Sequence, residues 1–180
     1  DNAATGQWIY TPGDNLKIIG DFVNDKKEGE WKYYKNDKII SILNYENGLL
    51  EGEVKGFYEN GEPASELNYK DGKINGEYKS YYKNGQFKVL NRYTEGRLDG
   101  ISKEFDKEGK LLYEIEYKQG TPYNLYIIDG DKLMIGGDLN EGNGQYIKYG
   151  YNKEGEKIIK LIVNYEDGKL HGQVKGFSYE

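Results

Sequence analysis

Between Gly76 and Tyr93 apolar and polar residues alternate with a period of two. Tyr78, Ser80, Tyr82, Phe87, Val89, Asn91 and Tyr93 share one face of an extended chain; Glu77, Lys79, Tyr81, Lys83, Lys88, Leu90 and Arg92 share the other. The pattern predicts two strands. Asn84-Gly85 between them predicts the turn, because both residues of a two-residue hairpin loop must accept positive φ. Counting outward from that loop sets Gly76 opposite Tyr93, Tyr78 opposite Asn91 and Tyr82 opposite Phe87. The stretch from Gly100 to Tyr117 repeats the alternation, with Leu111, Tyr113, Ile115 and Tyr117 on one face against Lys103, Phe105, Lys107, Lys110 and Glu114.

The same hairpin recurs along the chain. Gly6, Gly29, Gly52, Gly76 and Gly100 mark a period of 23 or 24 residues, continued by Asn124, Gly144 and Gly172. Tyr45, Tyr69, Tyr93, Tyr117 and Tyr165 each precede the next marker by seven residues, and Phe22 takes that place before Gly29. Middle turns fall at Asn60-Gly61, Asn84-Gly85, Glu108-Gly109 and Glu154-Gly155, with Asn36-Asp37 as a variant. Return turns fall at Asn47-Gly48, Asp71-Gly72, Glu95-Gly96 and Asp167-Gly168. The construction pairs Gly52 with Tyr69 and Gly100 with Tyr117. It also pairs Gly144 with Tyr165, since the long final repeat extends both arms equally. A ring lying over the bare backbone of a cross-strand glycine would pin such a register.

The expected fold is all-β: an elongated, twisted, single-layer antiparallel meander of roughly fifteen strands, built from tandem hairpins as a solenoid. One array spans 1–180, with repeats at 6–28, 29–51, 52–75, 76–99, 100–123, a degenerate 124–143, 144–171 and a partial 172–180. The series Tyr34, Phe57, Tyr81, Phe105, Tyr149 and Phe177 falls on the charged face, where neighbouring rings can stack for about 1 kcal/mol per pair.

Composition adds that tyrosine supplies the apolar surface, with 19 Tyr against 5 Phe. A net charge of −6 with interspersed signs argues against nucleic acid and against an anionic membrane. No apolar run approaches the roughly 20 residues of a membrane helix. Cysteine is absent, which removes disulfides, thiol catalysis and thiolate metal sites. The first residue is Asp1, so a leader could have stood before it, and the reading is an exported protein of the envelope or exterior, with a cytoplasmic one as the alternative.

The units GEWKYYKNDK, GEVKGFYENGE and GEYKSYYKNGQ, each followed by a strand ending Tyr-x-x-Gly, resemble the MORN-repeat variant of bacterial proteins labelled as the YwqK family of antitoxin components. The resemblance covers 6–120 and 144–180 and departs at Asn124. It implies a binding module and, through the antitoxin label, a protein partner such as a toxin. Related eukaryotic MORN repeats are associated with protein and phospholipid binding; the acidic balance argues against the lipid.

The inventory for catalysis is thin. His171, the only histidine, occupies a variable turn position shared by Glu28, Glu51, Asn75, Asp99, Tyr123 and Asn143. Glu114 and Glu116 share one strand face, which reads as solvated charge in preference to a glycosidase pair. Asp138 to Gly142 has the look of a calcium loop, but Tyr149 stands where a bidentate Glu is required. The expectation is no enzyme, no metal and no cofactor. What remains is the aromatic face. Trp8, Trp31, Tyr33, Tyr78, Tyr82, Tyr113, Tyr126 and Tyr146 are the candidate binding residues, because variation at equivalent positions individualises a repeat surface. A protein–protein interaction scaffold is the leading reading. A glycan or cell-wall module that stacks sugars on Trp and Tyr is the alternative, and self-association through sheet face or edges is also open.

Overall fold

A computed structural model describes residues 3–13, 15–129, 132–135, 143–151, 157–167, 169–171 and 175–176; over 125–129, 132–135, 146–151, 157–161, 163, 170 and 175–176 the backbone alone is described. The elements are strands throughout. They are β1 (Gly6–Gly13), β2 (Leu16–Val23), β3 (Lys26–Lys35), β4 (Lys38–Glu46), β5 (Leu49–Leu50), β6 (Gly52–Phe57), β7 (Pro63–Lys70), β8 (Lys73–Tyr81) and β9 (Phe87–Thr94). They continue as β10 (Arg97–Leu98), β11 (Gly100–Phe105), β12 (Leu111–Lys118), β13 (Thr121–Asp129), β14 (Lys132–Ile135), β15 (Gly144–Tyr151), β16 (Lys157–Glu166), β17 (Lys169–Leu170) and β18 (Lys175–Gly176). The fold is an antiparallel single-layer meander of tandem hairpins. Among the described residues eighteen strands arise where roughly fifteen were expected, because β5/β6, β10/β11 and β17/β18 each divide one expected strand just before the marker glycine.

Among the described residues the strands lie in two hydrogen-bonded sheets, β1 to β14 and β15 to β18. The division falls in the degenerate repeat, and 136–142, including Gly136-Gly137-Asp138, lie outside the described residues. Backbone proximity groups the chain into two units, residues 1–97 with 105–110, and 98–104 with 111–180. In the first unit β1, β2, β3, β4, β6, β7, β8 and β9 are neighbours in that order. In the second, Ile115 is the buried centre, 4% exposed, with Tyr113, Tyr117 and Tyr165 packed on it.

The glycine–tyrosine register is as the spacing predicts. Gly29 pairs with Tyr45, Gly52 with Tyr69, Gly76 with Tyr93 and Gly144 with Tyr165, while Gly6 pairs with Phe22. The reason for glycine differs from the one expected. Nothing lies within 4 Å of where a Cβ would stand at Gly6, Gly29 or Gly52, so no ring covers that side of them. The requirement is conformational: the marker glycines from Gly6 to Gly100, and Gly144, hold φ between 66° and 108°, which a side chain disfavours.

The two classes of turn exchange the roles assigned by counting. At the return turns both loop residues have positive φ: Asn47 and Gly48 at 51° and 87°, Asp71 and Gly72 at 50° and 74°, Glu95 and Gly96 at 51° and 80°. These are the two-residue hairpin loops. Asn36-Asp37 is another, at 50° and 59°. At Asn84-Gly85 only the glycine is positive, Gly85 N–H donates to Tyr82 C=O at 2.9 Å, and Tyr82 N–H donates to Gln86 C=O at 2.8 Å. The loop is therefore Lys83-Asn84-Gly85. It is one residue longer than expected, and Tyr81 pairs with Phe87. A bulge between Ser80 and Tyr81 in the pairing then restores Ser80 to Val89 and everything beyond. The Glu154-Gly155 turn lies outside the described residues.

That bulge re-aims a ring. Phe87, expected on the apolar face, stacks on Tyr81 at 5.2 Å between centroids and lies 6.4 Å from Phe105. The Tyr81–Phe105 part of the expected ladder thus runs through Phe87. On the same face Glu30, Glu53 and Glu77 pair with Lys32, Lys55 and Lys79 at 2.8, 2.9 and 3.0 Å. Phe177 and the side chain of Tyr149 lie outside the described residues.

Adjacent repeats are also latched at their turns. Glu28 accepts from Asn47 N–H at 2.8 Å, Glu51 from Asp71 N–H at 2.7 Å, Asp99 from Gln119 N–H at 3.2 Å and Asn143 from Asp167 N–H at 2.9 Å. The second turn residue donates one strand back, as Gly48 does to Lys27 C=O at 2.9 Å and Gly72 to Leu50 C=O at 2.9 Å. At the opposite turns Tyr58 and Tyr82 hydroxyls donate to the carbonyls of Tyr81 and Phe105 at 2.5 and 2.9 Å. The position before Gly29, Gly52, Gly100 and Gly144, which reads as a variable turn residue, is an acceptor that holds the next turn.

Candidate functional site

Alternation puts Trp8 and Tyr10 of β1, Ile18 and Phe22 of β2, and Trp31 and Tyr33 of β3 on one face. There they line a groove of about 570 Å³ together with Ala4, Asp25 and Lys27. Trp31 forms its floor at 5% exposure, while Trp8 and Tyr10 stand out at 49% and 60%. The rings meet edge to face: Trp8 to Phe22 at 5.4 Å, Phe22 to Trp31 at 5.1 Å and Trp31 to Tyr45 at 6.0 Å. This arrangement places ring edges against the negative faces of their neighbours.

Gly20 makes the floor possible. A Cβ there would stand 2.2 Å from Trp31 Cδ2 and 2.4 Å from Cε2, so the indole lies directly on the β2 backbone. Trp31 Nε1 completes the seat by donating to Asp21 C=O at 3.2 Å. The cover of a cross-strand glycine by a ring, expected at the marker glycines, occurs here.

Lys27 is half-buried in the groove, with Nζ 4.3 Å from the Trp31 ring centroid, 4.8 Å from that of Tyr45 and 3.3 Å from Tyr33 Oη. Rings and a hydroxyl hold the ammonium there. Burial first, and the neighbouring Tyr33 second, push the Tyr45 hydroxyl above its ordinary pKa, with Lys27 opposing. Asp25 at the rim is engaged, its carboxylate accepting Ala4 N–H at 2.7 Å.

Measured from each marker glycine, these residues depart together from the rest of the array. Two residues after the glycine stand Trp8 and Trp31, then Val54, Tyr78 and Ser102; four after stand Tyr10 and Tyr33, then Gly56, Ser80 and Glu104. Nine before stands Gly20, then Leu43, Leu67, Asn91 and Ile115; two before stands Lys27, against Ala4, Leu50, Ile74, Leu98 and Leu170. Tyr78, Tyr126 and Tyr146 also stand two residues after a marker, but a ring at both of these positions, the glycine that seats one of them and the lysine are confined to the first two repeats. Trp8, Trp31 and Tyr33 of the expected binding residues are brought together; Tyr10, Ile18, Gly20, Phe22 and Lys27 join them. The departures from the repeat pattern were the signal for these.

The remaining candidates have other employment. Tyr78 meets Tyr93 edge to face at 6.4 Å, Tyr82 latches Phe105, and Tyr113 donates to Glu104 while packing on Ile115. The side chains of Tyr126 and Tyr146, and the segment Asp138 to Gly142, lie outside the described residues. His171 is exposed and lies 2.9 Å from Glu166. Glu114 pairs with Lys103 at 3.1 Å and Glu116 accepts from Asn124 at 2.6 Å, so both carboxylates have structural partners. Among the described residues no cluster of His, Asp and Glu could hold a metal ion.

Comparison with curated proteins gives no match. The MORN repeat variant matches four consecutive segments, 27–47, 50–71, 74–93 and 98–119. Each begins two residues before a marker glycine and contains the tyrosine of that repeat, the third ending on Tyr93 itself. Repeats of this family are commonly protein- and membrane-interaction modules and are generally not enzymes. Four consecutive segments of the chain are thus similar to the MORN repeat variant, and the aromatic groove lies across the N-terminal margin of the first.

Proposed function

We propose that this protein is a non-catalytic protein-interaction scaffold whose binding site is the groove of Trp8, Tyr10, Ile18, Phe22, Trp31 and Tyr33. The observation that carries this reading is the joint departure of Trp8, Tyr10, Gly20, Lys27, Trp31 and Tyr33 from the repeat pattern. A fold needs only the array consensus to close its hairpins; large rings held half-exposed at one place, on a seat made by Gly20, are an added feature of the kind that anchors a partner. A glycan remains the second reading, because Trp8 and Tyr10 are exposed rings of the kind on which a sugar stacks.

The test is a capture experiment with immobilised wild-type, Trp8→Ala/Tyr10→Ala and Ile101→Ala proteins, paired with a glycan array. Ile101 is similarly exposed, at 47%, and lies far along the chain from the groove. Retention of a protein by wild type and Ile101→Ala, lost in the double variant, is expected. Saturable sugar binding that depends on Trp8, with no protein retained, would overturn the scaffold reading.

A further inference from the structure

Lys27 is the feature of the groove that packing does not require. Its equivalents two residues before the other markers are Ala4, Leu50, Ile74, Leu98, Pro122, Gly142 and Leu170, so the repeat needs no charge there. The ammonium is instead carried into the middle of the aromatic floor, over Trp31 and Tyr45. No carboxylate pairs with it among the described residues: nearby Glu28 holds the Asn47 turn, and Asp25 holds Ala4. A half-buried cation with rings but no anion is short of one partner, and the surrounding wall is apolar.

We infer that the groove takes an extended protein segment in which a carboxylate side chain is flanked by apolar residues, its anion meeting Lys27 Nζ and its neighbours meeting Trp8, Tyr10 and Ile18. The inference rests on the scaffold reading above and names the partner's chemistry. Charge complementarity selects the acidic group. The groove's outer wall selects an extended segment: Trp8 and Tyr10 belong to β1, which is hydrogen-bonded only to β2 among the described strands, so its other backbone edge is open beside the groove. A segment laid along β1 gains main-chain hydrogen bonds and directs alternate side chains inward.

The probe is a random twelve-residue peptide library displayed on phage and selected on the full chain. Lys27→Met and Trp8→Ala/Tyr10→Ala serve as comparators, and sodium decanoate as a competitor. Lys27→Met should fold, since apolar residues occupy this position elsewhere in the array. Peptides enriched in Asp or Glu between apolar residues are expected, bound about tenfold more weakly by Lys27→Met and not retained by the double variant. Groove-dependent peptides without acidic enrichment, or binding unchanged in Lys27→Met, would overturn the inference while leaving the scaffold reading intact. Peptides indifferent to the Trp8/Tyr10 substitution would remove the scaffold reading itself. Decanoate binding in the groove with no peptide selected would assign it to a fatty carboxylate and overturn the protein segment.

Discussion

Replacing Gly20 with alanine should destabilise the N-terminal hairpins, although an alanine in place of a strand glycine ordinarily helps by about 0.4–1 kcal/mol through the unfolded chain. The new Cβ would stand 2.2, 2.4 and 2.6 Å from Trp31 Cδ2, Cε2 and Cγ. Carbon contacts settle near 3.5–4.0 Å, so the indole must retreat by roughly 1.3–1.8 Å. Overpacking of this kind costs about 1–3 kcal/mol. The retreat also loosens the Nε1 bond to Asp21 C=O and the edge contact with Phe22 at 5.1 Å, each worth about 1 kcal/mol. Against the alanine gain, the net is a loss of about 2–4 kcal/mol. Amide hydrogen exchange over β2 and β3, with near-ultraviolet circular dichroism during thermal unfolding, reads it locally, which suits an array whose repeats need not unfold together. In Trp31→Val, which installs the residue found at Val54, most of the Gly20→Ala penalty should vanish, giving a coupling detectable in a double-mutant cycle. Gly56→Ala is the control. Its Cβ would meet only Ser65 Oγ at 2.7 Å, a hydroxyl free to rotate, and the change should stay within about 1 kcal/mol. Equal or greater stability of Gly20→Ala, with unaltered Trp31 signals, would refute the seating of the indole on β2.

Four further outcomes follow from the same geometry. Gly76→Ala, at φ 103°, should cost about 1–3 kcal/mol in denaturant unfolding although its new Cβ would make only an ordinary contact with Asn68 Cβ at 3.9 Å, because the strain is in the backbone. Glu51→Ala should raise hydrogen exchange at Asp71 N–H and cost about 1 kcal/mol, whereas Glu51→Gln, which keeps an acceptor, should cost less. Gln119→Asn, at φ 49°, should raise the melting temperature, as asparagine tolerates the left-handed region and Asp99 still receives the backbone N–H. The Lys73 ammonium, 3.0 Å away, holds the Glu95 carboxyl below its ordinary value. With the folded value depressed, the pair's contribution is in place above the unfolded carboxylate range and is lost as pH falls through the folded value. A carbon-detected titration should show the midpoint return upward in Lys73→Met or at high salt.

The period of glycine and tyrosine was enough to place Gly29, Gly52, Gly76 and Gly144 across from their tyrosines, even in the long final repeat, because a positive-φ residue and a turn fix both ends of the count. Turn type was not legible in the same way. Asn84-Gly85 has the composition of a two-residue loop, and a longer loop followed by a bulge leaves the outer register unchanged, so counting is blind to both. The turn latch was hidden because Glu28, Glu51, Asp99 and Asn143 look like ordinary loop residues until their shared capacity to accept a hydrogen bond is noticed. In the groove, Trp8 and Trp31 stood out as the only tryptophans. Gly20 and Lys27 did not, since neither is unusual alone; each is unusual only against Leu43 and Leu50 at the same repeat position. Tyr78, Tyr82 and Tyr113 make contacts to a neighbouring strand, the next repeat and the core that alternation alone does not reveal.

The central claim is that binding belongs to the first two repeats' aromatic groove and not to the array as a whole. Backbone amide chemical shifts of the full chain, recorded with and without a selected acidic peptide, test it most directly. Perturbations confined to residues around Trp8, Tyr10, Ile18, Phe22, Lys27, Trp31 and Tyr33, saturating with the binding isotherm, are the result this account predicts. Perturbations centred on the charged face around Lys32, Lys55 and Lys79, or spread evenly over the repeats, would contradict it.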